Sequence, residues 1–383
     1  MVANFFIAVN FYALLTTAAS FAISEFGETE AKAGFGAGIF VIGALISRIV
    51  VSRRITRPYY KKTLLIGTSL LIIFTALLFT ANNFMAFCVI RFIGGTTFGV
   101  NNNTLMTMVT STLPDNRKGE GVGWFALSQI LGMALGPFCA VSIMHLYGFQ
   151  EVFILATFVS VIAFIVIIFV KQPKETEQNA SAPIQNSAHK AAAIIPTEQG
   201  VWRFFDYNTI NIAILCFILF VCNTNYMSFA AIFVSESGAE SISSVIFLAS
   251  AGATFASRPI IGKLFDKHGP NIILVCGFIL FAAGFFLISQ GIISVFLLSA
   301  VLIGLGTSSL QGATFAMVVS NTPKHRLAIA NATYFFSLDL GSAIGPTFGG
   351  RIVEFAGYGT MYTICAVIVI ACLPLYFGIL AKR

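Results

Sequence analysis

Four ionisable side chains lie inside stretches of the chain that are otherwise apolar. Arg48, Arg91 and Arg258 are the cations, and Asp339 is the one carboxylate near the middle of such a stretch. A carboxylate in apolar surroundings can take up and release a proton, because burial disfavours its charged form. We therefore predict that Asp339 carries protons. The alternative is a permanent ion pair with Arg48 or Arg258 that joins two helices.

Arg91 allows two interpretations. A cation is costly in hydrocarbon, so its side chain should face the interior of the protein. There it can take part in a proton relay or anchor an anionic solute. It can equally serve structure alone, by donating hydrogen bonds to backbone carbonyls or to the three asparagines at 101–103. We favour the functional interpretation, and predict a role in proton coupling.

The composition requires most of the outer surface to face lipid. Hydrophobic residues make up 57% of the chain and charged residues 10%, whereas about 25% of the residues of a soluble domain are charged. The net charge of +7 is no sign of nucleic-acid binding here, because excess Lys and Arg mark the cytoplasmic loops of membrane proteins. We expect the lipid bilayer, and no nucleic acid, as a partner.

Twelve apolar runs are long enough to cross a bilayer, which needs roughly 20 helical residues. Backbone groups in hydrocarbon must be satisfied within their own segment, so continuous runs of this kind predict helices. The sequence therefore predicts an all-α membrane protein with spans at 3–24, 33–54, 62–82, 84–112, 121–145, 150–171, 208–234, 241–262, 271–290, 292–320, 327–350 and 357–380.

A polar stretch after the sixth span divides the chain. Its composition is typical of a flexible linker, so we predict a six-helix bundle at 1–171, a linker at 172–206 and a second six-helix bundle at 207–383. Seventeen of the 22 Lys and Arg residues fall on the side that holds the linker and both termini, and two fall on the other side. By the positive-inside rule, both termini should be cytoplasmic.

The two halves repeat each other. Ser47-Arg48 at the end of the second span returns 210 residues later as Ser257-Arg258, and a basic turn follows each copy. The stretch Gly132-Met-Ala-Leu-Gly-Pro137 returns 209 residues later as Gly341-Ser-Ala-Ile-Gly-Pro346. Landmarks in the same order at nearly one spacing indicate two fused copies of a single unit.

These motifs resemble those of the major facilitator superfamily. The turn from Gly262 to Gly269, Gly-Lys-Leu-Phe-Asp-Lys-His-Gly, is similar to its loop signature Gly-x-Leu-x-Asp-Arg-x-Gly, although Thr56 replaces the acid in the first copy. Arg91-Phe-Ile-Gly-Gly95 resembles an Arg-x-x-x-Gly element of proton-coupled members. The Gly-Pro stretch of the fifth span resembles the drug:proton antiporter signature Gly-x-x-x-Gly-Pro-x-x-Gly-Gly, which is complete in the eleventh span. The resemblance covers essentially the whole chain.

The resemblance implies that two six-helix bundles rock around a central site in alternating access. Gating or latch roles then fall on cations and acids near the basic turns, and on glycines and prolines of spans 5 and 11. The alternatives are cations that only set topology and glycines that only pack helices. The predicted gating residues are Arg48, Arg57, Arg258, Asp266, Lys267, Gly132, Gly136, Pro137, Gly345 and Pro346.

Polar side chains in the spans are candidates for the substrate cavity. Membrane helices also use such side chains to bind one another, and this alternative applies to each of them. The predicted cavity residues are Asn10, Tyr12, Thr16, Asn102, Gln129, Asn225, Tyr226 and Gln311.

The function implied by the resemblance is secondary active transport across a cytoplasmic membrane. The leading interpretation is proton-coupled efflux of a small organic solute, such as a drug or metabolite, by a monomer. The alternative is a proton symporter or facilitator that imports a sugar or other metabolite, and a non-transporting membrane receptor or partner subunit is a third. We expect no enzyme, cofactor or metal site, because no catalytic cluster, phosphate loop or ligand spacing is visible among the His and Cys residues.

Overall fold

The chain folds almost entirely into helices. The computed structural model describes residues 1–51, 59–112, 118–170, 206–207, 209–323 and 326–379, and no strand occurs within these ranges. Gly357, with φ 79° and ψ 168°, divides the last helical element, Leu327–Ile379. The helices are α1 (Val2–Phe26), α2 (Glu30–Val51), α3 (Tyr60–Ala76), α4 (Phe84–Thr112), α5 (Lys118–Tyr147), α6 (Phe149–Phe169), α7 (Ile210–Glu236), α8 (Val245–His268), α9 (Pro270–Ser289), α10 (Phe296–Asn321), α11 (327–356) and α12 (358–379).

The helices have the length and apolarity of membrane spans. Eleven segments of the described chain qualify, and the last of them, Ile329–Gly378, has 50 residues. That is more than twice the length that a bilayer needs, and the break at Gly357 lies between its two halves. The structure therefore confirms an all-α membrane protein with twelve crossings.

Glycines with positive φ end several helices. Gly27 has φ 63° and its N–H donates to the Ile23 carbonyl, while the N–H of Glu28 donates to the Ala22 carbonyl, which closes α1. Gly269, with φ 73°, ends α8, and Pro270 starts α9 in the next position. Left-handed backbone suits glycine and stops a helix, while proline fits the first turn because its missing N–H is not needed there.

Each half forms a bundle of packed helices. In the first half α1 contacts α2, α5 and α6, and α4 packs against α2 and α3. In the second half α7 packs against α11, α10 packs against α8 and α9, and α12 packs against α9. We call the end of the molecule near the start of α2 the Glu30 end, and the opposite end, where α8 finishes, the Lys267 end.

Two helix pairs join the halves, and we call them seams. The first seam is α2 with α11, and the second seam is α5 with α8; α1 also contacts α7. A large hydrophobic cluster crosses between the halves at the Glu30 end and includes Phe21, Phe153, Phe229 and Tyr358. The two halves are therefore packed together at the Glu30 end.

Candidate functional site

The two halves are joined by an ion pair. Arg48 Nη1 on α2 lies 2.7 Å from Asp339 Oδ2 on α11, and the two side chains are 32% and 28% exposed. The structure thus brings Asp339 to Arg48, one of the two partners that the sequence offered. Partial exposure means that the protein does not fully enclose either side chain.

The direction of the two helices explains why these residues meet. Gly34 faces Pro346, and Gly38 faces Ala343, so α2 and α11 run antiparallel. A helical side chain leans toward the N-terminus of its own helix. Arg48 therefore leans toward the Glu30 end and Asp339 toward the Lys267 end, which brings them together across the seam.

Arg258, the repeat counterpart of Arg48, has different neighbours. Its Nη2 donates to Gln311 Oε1 on α10 at 3.2 Å. Tyr12 and Tyr334 lie within electrostatic reach of its guanidinium, and Tyr12 also lies within reach of Asp339. Tyr12, Arg48, Arg258, Gln311 and Asp339 thus form one group between the halves, which we call the central site.

A hydrogen-bond network fixes the Gln311 backbone. The Tyr334 hydroxyl donates to the Gln311 carbonyl at 3.1 Å and lies 3.2 Å from the Thr314 hydroxyl. A narrow cleft between α7, α9, α10 and α11 starts at these residues, and its lining includes Leu219, Phe220, Asn223, Phe281 and Leu310. The central site therefore adjoins a largely apolar surface in the second half.

Arg91 lies away from the central site, inside the first bundle. It is 2% exposed, and its nitrogens donate to the carbonyls of Gly36 at 2.8 Å, Leu14 at 3.2 Å and Ala37 at 3.3 Å. Its guanidinium also lies over the ring of Phe40 at 5.3 Å. These contacts tie α4 to α1 and α2, as the structural interpretation expects for backbone carbonyls, and a proton-coupling role stays a prediction.

The Gly-x-x-x-Gly stretches pack helices within their own halves. A Cβ at Gly132 or Gly136 would lie 2.5 Å from the Ala8 Cβ or 2.9 Å from the Val9 carbonyl, both on α1. The same atom on Gly345 would lie 2.7 Å from the Val221 carbonyl on α7. The glycines therefore let helices approach closely.

The prolines that follow these glycines differ in surroundings. Pro137 lies inside α5 and Pro346 inside α11. The Pro346 carbonyl occupies the place that a Cβ at Gly34 would need, so this proline belongs to the first seam. A gating role for either proline stays a prediction.

Most other predicted cavity residues lie inside the bundles. The Asn10 amide donates to the Ala156 carbonyl and the Ser160 hydroxyl, and the Tyr226 hydroxyl donates to the Ile246 carbonyl. Thr16 and Asn225 are buried. The structure thus brings Tyr12 and Gln311 to the central site, and not Asn10, Thr16, Asn225 or Tyr226.

Two further predicted cavity residues lie on the first half. The Gln129 amide lies 3.4 Å from Asn4 Oδ1, which joins α5 to α1. Asn102 is half-buried on α4. Neither forms a hydrogen bond with a residue of the central site in the described part of the chain, and their part in substrate binding stays a prediction.

The predicted latch at the basic turns is only partly visible. Arg57 and the side chain of Asp266 lie outside the described part of the chain, and Lys267 is exposed at the end of α8. Their latch role stays a prediction.

Two ion pairs were missed from sequence. His145 Nδ1 on α5 lies 2.8 Å from Glu240 Oε1, and its Nε2 lies 2.9 Å from the Ser243 hydroxyl, at the Glu30 end of the second seam. Arg326 Nε lies 3.0 Å from Asp206 Oδ1 within the second half. Both join segments that are distant in the chain, so no local spacing marks them.

Metal-binding chemistry has no support in the described residues, where no group of three His, Cys, Asp or Glu side chains could hold an ion. The cysteines are free thiols.

Comparison with known proteins agrees with this architecture. A sequence model of the Major Facilitator Superfamily matches residues 1–256 and 212–383, which together span the chain. The chain belongs to the major facilitator superfamily. The family consists of transporters of small molecules and not of enzymes, so this protein is a multi-pass membrane transporter.

Relatives and solved structures extend the match. The chain is 23% identical over 357 residues to an uncharacterised MFS-type transporter of Methanocaldococcus jannaschii, and the match covers 89% of this chain and 87% of that protein. It is 23% identical over 355 residues to the multi-drug resistance efflux pump PmrA of Streptococcus pneumoniae, covering 89% and 85%. The inward-open xylose transporter XylE of E. coli superposes with a TM-score of 0.76 at 15% identity, covering 99% of this chain and 95% of that one.

Proposed function

We propose that this transporter exports a small organic solute in exchange for protons, by alternating access. The observation that carries the proposal is the Arg48–Asp339 ion pair, which joins the two halves at 2.7 Å and is partly exposed. The similarity to the pneumococcal efflux pump PmrA favours export.

The ion pair offers a physical mechanism for coupling. With Asp339 ionised, Coulomb attraction to Arg48 holds the first seam together across the halves. A proton on Asp339 removes that attraction and frees Arg48, so the first seam is weakened. A ligand or proton that favours one arrangement of the halves shifts the population toward it. Reversible protonation of one carboxylate can thereby drive the halves between two states.

The charge bias sets the proposed orientation. We place both termini, the linker at 172–206 and the Lys267 end in the cytoplasm, because Lys and Arg concentrate there. The bundles at 1–171 and 207–383 then rock around the central site. We keep Arg91 as a second group of the coupling machinery, acting through its carbonyl contacts with α1 and α2.

Proton flux in proteoliposomes tests the coupling. Vesicles with an acidic interior and a trapped pH dye are challenged with aromatic anions, cations and neutral solutes. A transported solute should alkalinise the interior in wild type, and Asp339→Asn should reduce that flux to the rate of empty vesicles. Asp206→Asn is the matched control, because it removes an acid that pairs within the second half alone.

Solute exchange separates coupling from a structural lock. Exchange of labelled for unlabelled solute needs no net proton movement, so Asp339→Asn should retain it while losing proton-driven accumulation. Loss of both activities in a folded variant would favour the permanent lock. Equilibration of a metabolite without proton movement in wild type would favour the facilitator alternative.

A further inference from the structure

The charge at the central site is not balanced. Among the described residues, Arg258 makes a single hydrogen bond, to the neutral side chain of Gln311, and no ion pair. Its electrostatic neighbours are two tyrosines, Tyr334 and Tyr12. Arg48 is neutralised by Asp339, so the described side chains of the central site carry one net positive charge.

The internal repeat shows which position of the second seam lacks an acid. Arg48 and Arg258 are 210 residues apart, and the glycines flanking Asp339 repeat at 209, so the counterpart of Asp339 on α5 is Ile130. Ile130 is 6% exposed and apolar. The first seam has an arginine with an acid, whereas the second seam has an arginine with an isoleucine at the matching position.

An arginine in this setting needs an anion. A charged side chain within a membrane protein is costly and is found paired, hydrated or in a ligand pathway. Arg258 is exposed, and its Nη1 and Nε have no hydrogen-bond partner among the described residues. Gln311 turns its oxygen to Arg258, which leaves its amide nitrogen free as a second donor.

We propose that Arg258 and Gln311 bind a carboxylate on the transported solute, so that the cargo is an amphipathic organic anion. Arg presents a planar fork of donors that matches a carboxylate bidentately. Phe220 is half-buried and lines the same cleft as Gln311, so it offers apolar surface to the body of the solute. The proposal rests on the proposed function, since it assumes that cargo reaches the central site.

The test is equilibrium binding to the purified full chain with three probes that share one ring system. The probes are 2-naphthoate, its methyl ester, and naphthylmethyl-trimethylammonium, and titration calorimetry in detergent needs no proton gradient. We expect 2-naphthoate to bind more tightly than either other probe by about tenfold or more, the scale of one charge-assisted hydrogen bond.

Two substitutions at one position separate charge from folding. Arg258→Gln should weaken 2-naphthoate binding by about 10- to 100-fold and leave ester binding unchanged. Arg258→Lys keeps the charge without the fork, so it should retain an intermediate affinity. Lys263→Gln is the matched control, since it removes an exposed cation from the same helix.

The outcomes also separate this inference from the transport proposal. Equal binding of acid and ester, or unchanged acid binding in a folded Arg258→Gln variant, would overturn it even if a cationic solute moved protons. If 2-naphthoate binds through Arg258 but no solute moves protons, the anion site stands and the coupling proposal fails.

Discussion

The two seams occupy equivalent places in a repeated architecture but use different contacts. In the first seam a Cβ on Gly34, Gly38 or Gly350 would overlap a carbonyl oxygen of the facing helix. The repeat positions in the second seam are Ser244, Leu248 and Val141, which cannot allow such an approach. Gly252 of α8 also faces open space within 4 Å. Duplication has kept the topology and has let the packing diverge.

The charges diverge in the same way. The first seam holds Arg48 and Asp339 at 2.7 Å, whereas the second holds Arg258 without an acid partner in the described chain and an ion pair at the Glu30 end, His145–Glu240. The first seam thus has close backbone contact and a balanced charge. The second has the His145–Glu240 contact at one end and, among the described residues, a cation without an acid partner at the central site.

Breaking the glycine contacts should have the largest effect. Gly38→Leu would place a side chain against the Ala343 carbonyl, and backbone cannot give way as a side chain can. We expect a loss of about 3 kcal/mol in the free energy of unfolding, seen as a lower melting temperature and as lost transport. Gly252→Leu is the matched control and should be neutral or slightly stabilising, because Leu is a better helix former. Equal losses of stability in the two variants would show that replacing a glycine, and not the contact across the first seam, causes the effect.

The ion pair of the first seam should behave as a unit. Arg48→Met or Asp339→Leu alone leaves one uncompensated charge, and each should cost about 1–3 kcal/mol of stability, below the range for fully buried pairs because both side chains are partly exposed. The double variant should cost less than the two single losses added together. Thermal melts of the four proteins measure the coupling, and simple additivity would mean that the pair contributes no specific attraction.

An acid at position 130 would give the second seam the charge pair that the first seam has. Ile130→Asp should be less destabilising than Ile130→Asn by about 1 kcal/mol, because the two differ in charge and Arg258 attracts that charge. The Asp variant should also lose 2-naphthoate binding, while the Asn variant retains it. Melting temperatures of the two variants, measured side by side, give the answer. Equal melts would place Arg258 out of reach of position 130.

The His145–Glu240 contact of the second seam should show the smallest effect. Glu240 is 65% exposed, so Glu240→Gln should cost less than about 1 kcal/mol. Thermal melts of wild type and variant measure the loss. Glu25→Gln removes an exposed acid at the same end and should leave the melting temperature unchanged. Equal melting temperatures of the two variants would mean that the His145–Glu240 contact contributes nothing to stability.

The sequence predicted the architecture because its signals are local. Long apolar runs define the twelve crossings, since a helix in lipid must satisfy its own backbone. The 209- and 210-residue repeats revealed two related halves, and Asp339 stood out as an isolated mid-span acid. Each of these features can be read within one segment or by comparing one segment with its copy.

The tertiary structure decided which residues meet. Asp339 could have paired with Arg48 or Arg258, and the antiparallel course of α2 and α11, with side chains leaning in opposite directions, selected Arg48. Asn10 and Tyr226 lie on helix faces that point into their own bundles, whereas Tyr12 lies on a face that reaches the central site. Contacts between distant segments depend on helix rotation and packing, which the polarity of a residue alone does not specify.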